Sequence, residues 1–184
     1  MNAPKTEPSA ARTARALPVL VALSGAAALV YQSLWMRSFS LIFGGTTSAV
    51  AMVLAVFMGG LALGGALAAR RPAARPLRAY ARAEMAVGAL ALLTLPLLRS
   101  LPWAYGLVVG RTGLSGPLEF AGIAVLAAAV VLPPTILLGV TVPLAVEYLE
   151  RAGTNVNAGF GRLYLLNTLG GALGVALAPF VLVP

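Results

Sequence analysis

The sequence predicts an all-α integral membrane bundle of about five transmembrane helices with a cytoplasmic N-terminus, and three observations predict it. The first is composition: 60% of the 184 residues are hydrophobic and 10% are charged. An ordinary soluble domain is roughly 45–50% apolar and about 25% charged. The second is length, because several apolar runs exceed the ~20 residues needed to cross a hydrocarbon core of ~30 Å. The third is where charge falls, since Lys and Arg gather at the ends of those runs. About five such helices with short connections fill the chain and leave little room for a separate soluble domain.

Residues 1–15, MNAPKTEPSAARTAR, are polar, basic and proline-containing and read as a disordered cytoplasmic tail, leaving 16–184 as the transmembrane domain. The first span covers about 17–43. Lys5, Arg12 and Arg15 with the small residues Ala26 to Ala28 could also be read as a signal peptide, but the apolar run continues well past any cleavage point, which favours an uncleaved helix. Gly44 and Gly45 supply a turn, and Thr46, Thr47 and Ser48 supply a cap, for a second span over about 47–69, so the first two spans form a hairpin. The segment from Arg70 to Arg78, interrupted by Pro72 and Pro76, is a loop before a third span over about 78–98.

Residues 99–117 form the next connection, in which Trp103 and Tyr105 suit the interfacial aromatic belt. The fourth span, about 118–147, contains Pro133, Pro134 and Pro143. Proline removes a backbone donor, so the sequence predicts a kinked or broken helix there. A loop around 152–158 precedes the fifth span, about 159–183, and the sequence ends at Pro184.

Orientation follows from Lys and Arg. The tail carries three, the region 70–82 five and the segment 151–162 two, while Arg37, Arg99 and Arg111 lie on the alternate side. This asymmetry places the N-terminus and the 70–78 loop in the cytoplasm and the C-terminus outside. The net charge of +8 therefore reads as topology and anionic-lipid contact, with no nucleic acid as partner.

Glycine sits where helices disfavour it. Gly60 and Gly64 lie four apart on one face of the second span, with Gly59 and Gly65 beside them, and Gly170 and Gly174 repeat the spacing in the fifth. Lipid supplies no hydrophobic drive between helices, so small residues that let two backbones approach closely take that role. All six are expected to be buried in helix packing.

Polar groups inside a membrane are costly and therefore informative. The acids are Glu7, Glu84, Glu119, Glu147 and Glu150, with no Asp. Glu84 lies within the third span, where Arg82 or Arg162 could neutralise it; as a structural ion pair it would fix helix packing, and as a proton or cation site it would titrate and face a cavity. Arg37, with Tyr31 and Gln32 one or two turns below, could bind an anion or extend its side chain to the interface. Tyr164 and Asn167 in the fifth span could bond a neighbouring helix or line a site. Without Cys or His the chain has no thiol nucleophile, imidazole base or disulfide, and it lacks the usual zinc ligand sets. The residues therefore suggest no catalytic centre, no metal and no cofactor.

The pieces SGAAALVYQSLWMRSFSLIFGGTTSAVAMVLAVFMGGLALGG, RPLRAYARAEMAVGALALL, LPPTILLGVTVPL and GRLYLLNTLGGALGVALAPFVLVP, in this order, resemble the membrane part of bacterial spermidine synthase-like proteins. In that group a transporter-like helical domain precedes a cytoplasmic aminopropyltransferase-type domain. The second span and its basic loop are also similar to a loop motif of major facilitator transporters, with Ala68 and Ala69 where that motif usually carries an Asp. The resemblance implies a multi-pass protein of the bacterial inner membrane, and a pattern that continues into another span, hence a truncated or split member or a longer chain. An aminopropyltransferase needs a Rossmann-like sheet and carboxylates, and neither is visible in these residues.

The expected function is thus a non-catalytic membrane domain or subunit that packs against other membrane proteins in a complex. Two alternatives are a half-transporter that forms a homodimer to move a small solute, and the membrane anchor of an aminopropyltransferase-type enzyme.

Overall fold

The computed structural model describes residues 8–43, 47–111, 113 and 116–182, and these are almost wholly helical, with no strand among them. Helix α1 spans Pro8–Phe43, α2 Thr47–Arg70, α3 Pro76–Tyr105, α4 Pro117–Arg151 and α5 Val156–Leu182, with a short π-helical turn over Gly106–Gly110 after α3. Four of them, α1, α2, α4 and α5, are each long and apolar enough to cross a membrane. Helix α3 joins them only if its arms Pro76–Thr94 and Pro96–Tyr105, bent by 50°, count as one span. The bend falls at Pro96, which cannot donate to the carbonyl four residues back.

Three boundaries differ from expectation. Helix α1 begins at Pro8, so residues 8–15 of the anticipated tail are helical. Proline is preorganised for a first helical position, and the alanines and arginines that follow are good helix formers. Helix α3 and the π-helical turn take up much of the connection expected after residue 98. Helix α4 runs unbroken through Pro133, Pro134 and Pro143. Beside these prolines Thr135 donates its hydroxyl to the Val131 carbonyl at 2.9 Å and Thr141 donates to Leu138 at 2.8 Å, adding donors in turns where the prolines remove them. The Gly44–Gly45 turn, with Thr46, and the C-terminal Pro184 lie outside the described residues.

Helix α4 packs along both α2 and α3, and α1 packs along α5. The α1/α5 and α2/α4 pairs run parallel, because Ala22 and Ala26 meet Gly170 and Gly174, and Gly60 and Gly64 meet Thr135 and Gly139, in ascending order. A Cβ on Gly64 would strike the Ile136 carbonyl and lie 2.9 Å from the Gly139 Cα; on Gly170 it would strike the Ala22 carbonyl. These contacts need the missing side chains.

Gly59 and Gly65 depart from that pattern. A Cβ on Gly65 would make only an ordinary contact at 3.8 Å, and one on Gly59 would meet nothing within 4 Å. One residue along a helix is a rotation of about 100°, which carries Gly59 off the buried stripe onto the outer face.

Two apolar clusters close the bundle. Leu17, Val21, Tyr80, Leu144, Ala145 and Leu163 form one near the end that carries the 71–75 and 152–155 connections, here called the basic end. Trp35, Phe39, Met52, Val53, Phe57, Leu101 and Val131 belong to the other, in the opposite half. At the basic end a polar clasp holds the first connection. Arg151 pairs with Glu147 at 2.6 Å and donates to the Ala74 carbonyl at 3.1 Å, while the Ala73 N–H donates to Glu147 Oε2 at 3.2 Å.

Candidate functional site

A cavity of about 470 Å³ lies where α1, α2, α4 and α5 meet. Its walls are mostly apolar, from Phe57, Leu61, Leu138 and Phe160 among others, with Ser24, Thr141, Tyr164, Asn167 and Thr168 as the polar lining. One side of it is the tight α1/α5 seam, where Gly25 faces Asn167 and a Cβ would strike the Asn167 carbonyl and lie 2.9 Å from Asn167 Oδ1. Counting 1.5 Å per residue from Ala16, where the apolar part of α1 begins, and from Arg151 and Val156 at the basic ends of α4 and α5, Ser24, Thr141 and Asn167 sit roughly 12–17 Å along their spans. That is close to the middle of a ~30 Å core.

The polar groups of the cavity differ in their commitments. Thr141 and Thr168 give their hydroxyls to backbone carbonyls one turn earlier, at 2.8 and 2.9 Å. Ser24 is 7% exposed, and neither its hydroxyl nor the Asn167 carboxamide has a hydrogen-bond partner among the described residues. A serine within a helix usually returns its hydroxyl to the carbonyl three or four residues back. Ser24 instead lines the cavity with its hydroxyl uncommitted.

The other anticipated polar residues do not converge there. Tyr31 stacks on Trp35 with ring centroids 5.9 Å apart, and Gln32 Nε2 lies 4.0 Å from Met36 Sδ on the same helix. Arg37 and Arg162 are exposed, as is Arg82. Glu84 is half-buried, and neither Arg82 nor Arg162 pairs with it: among the described residues the one ion pair is that of Glu147 and Arg151. The expected neutralisation of Glu84 is therefore corrected. Arg82 lies two residues away on a different face of α3, and Arg162 points away from the bundle.

Instead, Glu84 shares a helix face with Tyr80, four residues earlier and within electrostatic reach. Tyr80 is 3% exposed, and neither its hydroxyl nor Glu84 Oε1 forms a hydrogen bond of good geometry. A buried hydroxyl with only a poorly aligned carboxylate beside it recovers little of the about 1–3 kcal/mol that its burial costs. Tyr80→Phe keeps the ring against Leu17, Leu144 and Leu163 and removes that cost, so it is expected to leave stability unchanged or raise it by up to ~1 kcal/mol in denaturant titrations of the purified protein. A clear loss of stability would show that the hydroxyl does make a bond in the membrane.

Sequence reading missed Ser24, Thr141 and the basic-end clasp. Asn167 was legible because a carboxamide within an apolar helix is conspicuous. Ser24 and Thr141 were not, since helix hydroxyls are common and ordinarily satisfied by their own backbone. No family model, curated protein or solved structure matches this chain.

Proposed function

We propose that this chain is a non-catalytic subunit or domain of a multi-pass membrane assembly, docked onto a transmembrane helix of a partner through the outer face of α2. One observation carries the reading. Gly59 lies exposed on α2 with nothing near the position of a Cβ, in line with exposed Ala51, Ala55, Ala62 and Ala66. Glycine within a helix costs about 1 kcal/mol relative to alanine, and lipid offers no return for it. A second backbone packed close against this smooth face does offer one. The motifs that resemble the membrane part of spermidine synthase-like proteins support the same class of function and a bacterial cytoplasmic membrane, and the Lys and Arg distribution supports an N-terminus inside.

The absence of native cysteine makes the test direct. Single cysteines at Ala55, Gly59 and Ala62 are expected to cross-link in native membranes, and cysteines at the exposed Leu92 and Leu173 are not. Gly59→Leu should abolish the adduct while leaving the chain folded. The mass of the adduct tells whether the partner is a second copy of 18.7 kDa or a different protein. Cross-linking of equal yield at every exposed position, or at none, would refute the docking face.

A further inference from the structure

From the cavity we infer a second property, independent of the lateral docking above: it is a binding site for an uncharged amphiphile that enters from the bilayer and carries one hydroxyl or carbonyl head group. Ser24 and Asn167 together offer a hydroxyl, an amide donor and an amide acceptor. Neither has a hydrogen-bond partner among the described residues. At mid-depth such groups are costly unless something bonds to them. The ligand's lack of charge follows from the lining. Among the described residues no Arg, Lys or Glu lines the cavity, so a charged head would be stripped of water with nothing opposite to it.

The remaining wall recognises a hydrocarbon body. Phe57, Leu61 and Leu138 form its interior, and Phe160 and Tyr164, stacked with centroids 5.8 Å apart, stand at the surface of α5. Both rim residues are about half exposed in the first turns of α5, where Arg162 is exposed and Phe160 also borders the group of Glu147, Glu150 and Arg151, so the entrance opens to the bilayer close to its boundary with water. A volume of about 470 Å³ is within the usual range for small-molecule sites, about 300–1,000 Å³. A single buried water could bond Ser24 and Asn167, but it would leave the apolar part of this volume unfilled.

The test uses the full chain in liposomes with three photoreactive probes that share a sixteen-carbon diazirine tail and end in an alcohol, a carboxylate or a quaternary ammonium, together with a four-carbon alcohol. The long-chain alcohol is expected to label peptides containing residues 24–29 and 160–171, to saturate, and to be displaced by hexadecan-1-ol. Labelling should fall about five- to tenfold in Asn167→Leu and in Ser24→Ala, the loss of one hydrogen bond each. Because Asn167→Leu places new bulk at the α1/α5 seam and could unfold the chain, the probe series on the unaltered protein provides a reading that needs no variant. Equal labelling by the charged probes would overturn the assignment of an uncharged ligand. Preference for the short alcohol would overturn entry from the bilayer. Unsaturable labelling spread over the exposed helix faces would reduce the cavity to ordinary lipid contact and overturn the proposal.

Discussion

Gly64→Ala is expected to destabilise the fold by about 3 kcal/mol or more, while Gly59→Ala, five residues earlier in the same helix, is expected to stabilise it by about 0.5–1 kcal/mol. The two substitutions carry the same intrinsic gain, because alanine loses less backbone entropy than glycine on entering a helix. What differs is the neighbour. The methyl on Gly64 runs into the backbone of Ile136 and Gly139 in α4, which cannot turn aside as a side chain could. The methyl on Gly59 meets nothing within 4 Å among the described residues. Unfolding of the two variants in mixed micelles on a rising mole fraction of dodecyl sulfate would measure both signs in one experiment. A Gly64→Ala protein as stable as the unsubstituted one would mean that α2 and α4 do not approach as described.

The second large effect is at Trp35. Its ring is 1% exposed, lies against Tyr31, and sits with its centroid 6.4 Å from that of Phe57. Trp35, Phe57, Leu101 and Val131 bring α1, α2, α3 and α4 together in one cluster. Trp35→Ala is expected to cost about 3–5 kcal/mol, nearer the lower figure because lipid solvates exposed apolar surface and the loss is mainly one of packing. Trp35→Phe should cost less than half as much. The same micelle titration would check both, with Trp103, which is exposed, left as the fluorescent reporter. If Trp35→Ala and an alanine at exposed Leu41 lost equal stability, the ring would not be a core residue.

Much of this architecture was legible because the constraint that sets it is simple. Apolar length in a bilayer must be helical, and the runs around α2 and α5 could be placed within a few residues on that ground alone. What escaped notice depended on rotation about a helix axis. Spacing alone placed Gly59 and Gly60 in one group, yet one faces outward and the other meets Thr135. Glu84 suggested an arginine partner, Arg82 on its own helix or Arg162 on the fifth; its face holds Tyr80. The three prolines of α4 suggested a kinked or broken helix, and the helix is unbroken: a proline removes a single hydrogen bond, and α4 packs along α2 and α3. The cavity was least visible of all, since it is made by four helices and its polar residues are spread from Ser24 to Thr168.

The parallel pairing of α1 with α5 has a consequence for how the protein comes to be made. A ribosome releases the first helix long before the fifth: the chain between Phe43 and Val156 must be added in between, which takes on the order of 10 s at 5–20 residues per second. For that interval the surface of α1 formed by Ala22, Gly25 and Ala26 has no α5 to receive it. Assembly of this seam is therefore a late event, and until it happens the newborn helix presents to the membrane, or to whatever accompanies it there, the groove that α5 will later fill.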